Sequence, residues 1–304
     1  MKPVVTIGMC MRNSERFVKN AIDSIIRQDF PHELMEIVFV DDGSTDSTFR
    51  IVSNYAARMD IRAKVFQTRW QGLGPARNLV FRNAEGEYII WVDADQILPE
   101  RYVRDQVEFM EKNPDVGITC GLVKTVPENL ILSLELVPMT IDYMRFEEPR
   151  SFIWKTEKLP GTGGATVRVK ALRQIGGFDE RLKGVGEDQD IDRRMKEAGW
   201  AIRMNSSGFY ELHGGMTTII DLLRKYRWYG RGNERLYRKN RNAFSLPRMC
   251  PPAGFLTGLL YSLIAYRKLH EKKVFLLPLH FGLKMTAWTR GFVESQIMHM
   301  TGRK

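Results

Sequence analysis

The sequence predicts an α/β domain on a mainly parallel sheet flanked by helices, followed by a basic helical extension. Strand-like and helix-like apolar patterns alternate over roughly the first 115 residues, which is typical of a parallel sheet. Acidic clusters end two of the predicted strands. Residues 201–304 carry 18 Lys and Arg against 5 Asp and Glu, an excess of +13, whereas residues 1–200 sum to −3. This excess predicts either an anionic partner for the extension or an ordinary solvated basic surface, and charge alone favours neither.

The predicted elements follow in a regular order through the first part of the chain. Helical spacing of apolar residues predicts a helix after Ser14, a candidate cap, and further helices around 49–55, over 76–83 and from about Pro99. The strands are expected at 4–10, 37–40, 63–67, 88–92 and 116–119.

The rest of the chain is less regular. A helix is expected around 191–198, and two apolar segments follow at 253–266 and 274–288. Each has 14 or 15 residues, too few to span a bilayer, and the second contains His280 and Lys284. Interfacial helices and an ordinary packed helix pair both fit these segments. We expect one domain over 1–215, with parts of about 1–120 and 121–215, and a separate region over 216–304.

Composition excludes several classes of protein. The 304 residues are 43% hydrophobic and 27% charged, which excludes wholesale disorder. No apolar run reaches the ~20 residues of a membrane span, so an ordinary polytopic membrane protein is excluded. No secretory signal is expected. Three distant cysteines, Cys10, Cys120 and Cys250, favour neither a disulfide framework nor a zinc knuckle, and a reducing cytoplasm fits best.

Two acidic clusters, Asp41-Asp42 and Asp93-x-Asp95, end predicted strands. In an open α/β sheet, ligands bind beyond the carboxyl ends of the strands. Carboxylates there can hold Mg²⁺ or Mn²⁺, which in turn binds phosphate oxygens. Each cluster alone is also explained by turn or helix capping. Two clusters in one domain favour a site.

Two further motifs open predicted helices. The glycine-containing run 72–78 precedes a helix, and an arginine at its start, Arg77, opposes the helix dipole. That unfavourable placement indicates an anionic partner. The run 187–192 has four acids in six residues. Favourable interaction with a helix dipole explains some of these acids but not all four. One of these carboxylates is a candidate general base.

In this order, the motifs resemble glycosyltransferase family 2, the inverting nucleotide-sugar transferases of the GT-A fold, which is a Rossmann-like, mainly parallel sheet flanked by helices. The resemblance covers about residues 4–213. It rests on Val5-Thr6-Ile7 with Asn13, the run 40–46, Gly74-Pro75-Ala76-Arg77-Asn78, Asp93-Ala94-Asp95, Gly176-Gly177-Phe178-Asp179-Glu180, and Glu187-Asp188 with Asp190.

The resemblance implies a role for individual residues. Asp188 would deprotonate the acceptor hydroxyl, Asp42 would contact the nucleotide base, and Asp95 would ligate a metal on the diphosphate. His213 would be a further metal ligand or touch the diphosphate, although a structural histidine also fits. The other nucleotide-binding candidates are Arg77, Asp93, Cys10 and Asn13. Those of the donor and acceptor loop are Gly163, Gly164 and Glu187.

These observations predict a metal-dependent (Mn²⁺ or Mg²⁺), non-processive enzyme that moves a sugar from a UDP- or GDP-sugar to an acceptor hydroxyl. A lipid-linked saccharide or membrane glycan is the favoured acceptor, with the protein peripheral at the cytoplasmic face of an anionic membrane. The alternatives are a sugar-nucleotide pyrophosphorylase, whose glycine-rich loop after the first strand is absent, and a nucleic-acid-binding protein. The Arg- and aromatic-rich run 226–232 fits nucleic acid as well as lipid headgroups, but the apolar segments favour the membrane.

All donor motifs precede residue 241. A chain cut after Arg241 is therefore expected to keep the donor site.

Overall fold

A computed structural model describes residues 1–124, 129–144, 153–155, 161–212 and 217–302. The chain divides into two compact units. The first comprises Met1–Lys124 and Ser151–His213, and the second comprises Thr125–Arg150 and Gly214–Lys304. Residues 125–150 thus group with the C-terminal region, although the sequence predicts a boundary at residue 215. The functional division into a catalytic domain and an extension stays a prediction.

The described part of the first unit contains a nine-stranded mixed sheet. Its strands are β1 (Val5–Met11), β2 (Met35–Asp42), β3 (Arg62–Thr68), β4 (Tyr88–Trp91), β5 (Gln96–Ile97), β6 (Val116–Lys124), β7 (Ile153–Lys155), β8 (Ala165–Arg168) and β9 (Ala201–Leu212). Its helices are α1 (Val18–Ile26), α2 (Thr48–Ala56), α3 (Leu73–Asn83), α4 (Tyr102–Lys112), α6 (Val169–Gln174) and α7 (Glu187–Glu197). Helix α5 (Leu130–Met144) belongs to the second unit.

The strand order is β3-β2-β1-β4-β8-β6-β9-β5, and β7 pairs with β9. The first four strands are parallel, whereas β8 runs antiparallel to both β4 and β6. All eight residues of β2 are buried, as expected for a parallel strand covered on both faces. Because β1 lies between β2 and β4, the acidic clusters that follow those two strands flank the end of β1.

The structure confirms the predicted elements of the first 120 residues, and three helices start at other positions than predicted. The helix expected over 76–83 begins at Leu73, so Arg77 lies in its second turn, beyond the first turn where the helix dipole acts most strongly. Helix α1 starts at Val18, and the described residues provide no side-chain cap for it. Ser14 instead contributes its carbonyl, which accepts the N–H groups of Phe17 and Val18 at 2.9 and 3.0 Å. The helix expected at 191–198 begins earlier, at Glu187, so its acidic cluster forms the first turn.

The second unit contains α5 with α8 (Ile219–Lys239), α9 (Pro251–Leu269) and α10 (Leu277–Met300). Leu134, Val137 and Ile141 of α5 form an apolar cluster with Ala265, Val274 and Leu277. Among the described residues, no helix combines the length and hydropathy required to cross a bilayer.

A buried ionic network ties α5 to its neighbours. Glu135 accepts hydrogen bonds from Tyr226, from His280 at 2.9 Å and from Lys284 at 2.6 Å. Burial raises the pKa of Glu135, but the hydrogen bonds of His280 and the charge of Lys284 outweigh it and hold the pKa at about 2. The two polar residues that interrupt the second apolar segment therefore face inward and have a partner.

Candidate active site at the carboxyl end of the sheet

The fold brings several of the predicted site residues together. Cys10 lies near the end of β1. Asp42 is the last residue of β2, and Asp93 follows β4, the two strands that flank β1. Burial raises the pKa of the Cys10 thiol to about 12, while the nearby charge of Arg77 lowers it and those of Asp93 and Asp42 raise it. Residues from three strand ends and the second turn of α3 thus share one electrostatic environment.

Asp42 organises the loop between β3 and α3. One of its carboxylate oxygens accepts hydrogen bonds from the Thr68 hydroxyl at 3.0 Å and the Gln71 N–H at 2.8 Å. The other accepts the Gly72 N–H at 2.7 Å. A carboxylate offers about four acceptor positions. Asp42 can therefore hold this loop and still accept a bond from a ligand.

Asp41 and Asn13 support the loop that follows β2. Asp41 accepts hydrogen bonds from the Ser44 side chain and from the Gln67 amide, the latter at 3.1 Å. Asn13 has a positive φ of 51°, and its side-chain oxygen accepts the Thr45 N–H at 2.8 Å. Both residues thus have structural partners in this loop, and nucleotide contact by Asn13 stays a prediction.

Arg77 forms a buried ion pair. Its guanidinium lies 2.5 Å from the Glu187 carboxylate, and both residues are only 4% exposed. It also lies over the rings of Trp91 and Phe178, 5.8 and 5.6 Å from their centroids. The anionic partner that the sequence indicated for Arg77 is therefore found within the chain, and the pair joins the second turn of α3 to the first residue of α7.

The second carboxylate oxygen of Glu187 is buried and has no hydrogen-bond partner among the described residues. Burial raises the pKa of Glu187, which the adjacent charge of Arg77 lowers and that of Asp188 raises. A buried acceptor without a partner is costly. The ion pair with Arg77 therefore leaves one buried acceptor of Glu187 unsatisfied, next to Asp188 in the first turn of α7.

The neighbouring acids of α7 have different environments. Asp190 is buried and pairs with Arg194 at 2.8 Å and with Arg193 at 3.4 Å. Asp188 is partly exposed, and its side chain accepts the Gln189 N–H at 2.7 Å. The structure thus gives Asp190 a structural partner and leaves Asp188 as the more accessible carboxylate.

Asn78 is a site-supporting residue that the sequence analysis quoted without assigning it a role. Its side chain donates to the carbonyl of Phe178 at 2.9 Å and accepts the N–H of the same residue at 2.8 Å. Gly177, at φ 77°, packs against this amide, where a Cβ would lie 2.7 Å from the Asn78 oxygen. The amide therefore fastens the Gly-Gly-Phe-Asp loop to α3.

The glycine loop at 161–164 lies against the end of β4. The Gly164 N–H donates to the Trp91 carbonyl at 2.7 Å, and Gly164 has φ 75°. A Cβ at Gly163 would overlap the side chains of Asp93 and Gln96. Gly163 therefore fixes where the first carboxylate of the Asp-x-Asp motif can lie.

This contact yields a prediction for Gly163→Ala. The added methyl group must displace Asp93 or Gln96, and a shift of about 1 Å near reacting groups can cost about 10²-fold in rate. We expect glycosyl transfer to fall by at least about tenfold, measured by initial rates. Gly161→Ala is the matched control because no atom of the described residues lies within 4 Å of a Cβ there. Equal effects of the two substitutions would contradict the assignment.

The metal candidates are only partly described. Asp95 is partly exposed, and His213 lies outside the described residues. Within the described ranges, no group of three or more His, Cys, Asp and Glu side chains could hold a metal ion. Mg²⁺ in particular needs only one or two protein carboxylates when substrate phosphates and water complete its shell. A single carboxylate such as that of Asp95 therefore suits a divalent ion that is carried with a diphosphate.

Comparison with known proteins identifies the family. The model of glycosyl transferase family 2 matches residues 6–176. The poly(ribitol-phosphate) β-N-acetylglucosaminyltransferase TarS of Staphylococcus aureus is 34% identical over 101 residues, 33% of this chain and 18% of TarS. EpsJ, an uncharacterised glycosyltransferase of Bacillus subtilis, is 32% identical over 218 residues, 69% of this chain and 61% of EpsJ. The matches therefore span less than two thirds of either relative.

Solved structures confirm the fold class. Residues 1–349 of Staphylococcus aureus TarS, in complex with UDP-GlcNAc, align with a TM-score of 0.55 and 19% identity, covering 100% of this chain and 93% of that one. The mannosyltransferase PcManGT of Pyrobaculum calidifontis, in complex with GDP-Man and Mn²⁺, aligns with a TM-score of 0.60 and 20% identity, covering 99% and 80%. With the family model matching more than half of its residues, the chain belongs to glycosyl transferase family 2 and has the predicted GT-A fold.

Proposed function

We propose that this protein is a metal-dependent, inverting glycosyltransferase that moves a sugar from a nucleoside-diphosphate sugar to an acceptor hydroxyl. The observation that carries the proposal is the convergence of Asp42, Arg77, Asp93 and the acidic first turn of α7 at one end of the parallel strands. Membership of the family supports the same reaction.

The donor is a UDP- or GDP-sugar. The structural relatives support this class, since one is a complex with UDP-GlcNAc and another a complex with GDP-Man and Mn²⁺. In this chain, the remaining acceptor capacity of Asp42 suits an N–H of a nucleotide base. Cys10 and Asn13 lie at the adjacent strand end and complete the proposed nucleotide-binding surface.

Asp188 is the proposed general base. It removes the proton of the acceptor hydroxyl as that oxygen bonds to the anomeric carbon, while the bond from this carbon to the diphosphate breaks. The bonding electrons leave with the diphosphate, and attack from the opposite face inverts the anomeric centre. Asp190 is a poor alternative because its carboxylate is held by Arg193 and Arg194.

Asp95 is the proposed protein ligand for Mn²⁺ or Mg²⁺, with His213 as a second, and Asp93 belongs to the proposed nucleotide-binding surface. A bound divalent ion would stabilise the negative charge of the diphosphate leaving group. One backbone pairing supports the inclusion of His213 among the candidates. Leu212, which directly precedes His213, pairs with Gln96, which directly follows Asp95.

The acceptor is proposed to be a lipid-linked saccharide or a membrane glycan, with the enzyme peripheral at the cytoplasmic face. The basic composition of residues 201–304 supports this class of acceptor. An exposed apolar surface on α9 supports membrane association independently.

A thermal-shift screen of UDP-, GDP- and dTDP-sugars with Mn²⁺ or Mg²⁺ tests the donor. A ligand at about 100 times its Kd stabilises the native state by ~2.7 kcal/mol, which corresponds to roughly 5–10 °C for a domain of this size. We expect a shift with one nucleotide sugar plus metal, and metal-stimulated donor hydrolysis. Pyrophosphate release from a nucleoside triphosphate and a sugar phosphate would instead favour a pyrophosphorylase. A shift only with oligonucleotides would favour nucleic-acid binding.

A further inference from the structure

Helix α9 buries its small residues and exposes its large apolar ones, the reverse of the usual pattern for a helix in water. Its buried residues are small, namely Gly254, Gly258, Ser262 and Ala265. Its large apolar residues are 43–64% exposed: Phe255, Leu256, Leu259, Leu260, Leu263 and Ile264. A surface helix of a water-soluble protein normally does the reverse. Together these six residues form the α9 face.

Backbone packing fixes this orientation. A Cβ at Gly254 would lie 2.5 Å from the Met285 side chain and 2.8 Å from the Phe281 carbonyl. A Cβ at Gly258 would lie 2.5 Å from the Leu277 carbonyl. Because only glycine permits these approaches, α9 cannot rotate to bury its leucines without losing its fit to α10.

Basic residues follow the α9 face. The sequence has no charged residue from 251 to 266, whereas Arg267, Lys268 and Lys272 come directly after and are exposed. Glu271 is the only acidic residue between positions 235 and 293. Exposed aromatic rings accompany this charge, since Tyr266 packs on Phe275 with centroids 5.0 Å apart.

We propose that the α9 face docks on the surface of an anionic lipid bilayer. The apolar side chains enter the boundary between headgroups and acyl chains, and the following basic residues meet lipid phosphate. A protein interface normally surrounds its apolar centre with a polar rim. In the stretch 255–260, Thr257 is the only residue with a hydroxyl group, and no residue between positions 255 and 264 is charged. The absence of a spanning helix among the described residues fits a helix that lies in the plane.

Co-sedimentation with vesicles tests this surface. The full chain is mixed with phosphatidylcholine vesicles, with and without phosphatidylglycerol, at low and high salt. We expect binding to the anionic vesicles, which weakens with salt but leaves a resistant part from apolar burial. A chain that stays in the supernatant with both kinds of vesicle would overturn the proposal.

Paired variants separate the α9 face from exposed apolar residues in general. The double variant Leu260→Glu and Leu263→Glu is expected to lose at least about 30-fold in vesicle binding. The control, Ile219→Glu and Ile220→Glu, adds the same charge at similarly exposed positions of α8 and should change binding by less than about fivefold. Both variants should keep the native melting temperature because all four side chains are exposed. Equal losses in the two variants would overturn the assignment to α9.

Two further experiments test the role of the basic residues and the possibility of self-association. Lys268→Gln with Lys272→Gln should weaken binding to anionic vesicles by about fivefold per residue and leave neutral vesicles unaffected. Size-exclusion chromatography without lipid should give the same elution volume for the native chain and the α9 variant. A native dimer that the α9 variant splits, without vesicle binding, would show that a second copy covers this face.

Discussion

Asp188→Asn is expected to lower glycosyl transfer by about 10²- to 10⁴-fold while donor binding persists. The amide nearly keeps the shape of the carboxylate but cannot accept the proton of the acceptor hydroxyl. The partly exposed Asp188 makes no ion pair that the substitution would break among the described contacts. Initial rates of transfer and a donor titration followed by thermal shift measure the two effects separately.

Asp190→Asn provides the contrast. Its carboxylate is buried and held by Arg193 and Arg194, so the substitution removes charge from a structural ion pair. A lost buried, charged hydrogen bond costs about 1–3 kcal/mol, and we expect a lower melting temperature with a smaller loss of transfer. If Asp190→Asn proved more damaging to transfer, or if Asp188→Asn abolished donor binding, the wrong carboxylate would have been named.

Asp95→Asn is expected to reduce transfer by at least about 10²-fold without unfolding the protein. Removing a carboxylate from the proposed metal ligands forfeits several kcal/mol of leaving-group stabilisation. The measurement is the initial rate against Mn²⁺ or Mg²⁺ concentration, in which the variant should require more metal or show no response.

The matched control is Asp115→Asn, whose carboxylate pairs with Arg203 at 2.7 Å near the start of β6. This substitution should leave the metal dependence unchanged. Activity of the native chain that is indifferent to EDTA would contradict metal dependence, and unchanged turnover of Asp95→Asn would contradict this ligand.

The parallel strands were predictable because each is short, apolar and followed by turn residues. The predicted strand at 37–40 lies within the observed β2, whose residues are all buried. Helix α5 was missed for a physical reason. It is apolar through most of its length and contains Pro138, so it lacks the polar positions that produce a helical period.

Part of the site was also predictable, since acids that end parallel strands gather at one edge of a sheet. Its supporting contacts were not. Arg77 and Glu187 are 110 positions apart, and Asn78 and Phe178 are 100 apart. No local pattern encodes such a pairing, because it depends on the order in which strands and loops assemble.

The ionic network around Glu135 changes the expectation for a chain cut after Arg241. That cut removes His280 and Lys284 and leaves the carboxylate with Tyr226 alone among its three described partners. It also uncovers the apolar cluster that α5 shares with Leu277. The donor motifs would remain, but α5 would lose the side chains against which it packs.

The partners in this network are synthesised at widely different times, so the network can form only late in translation. Glu135 is translated 149 residues before Lys284, and chains grow at about 5–20 residues per second. Glu135 of α5 is therefore synthesised about 7–30 s before its last ionic partner. During that time Leu134, Val137 and Ile141 lack their native cover. The apolar residues of α5 therefore acquire their native packing only after the C-terminal helices have been synthesised.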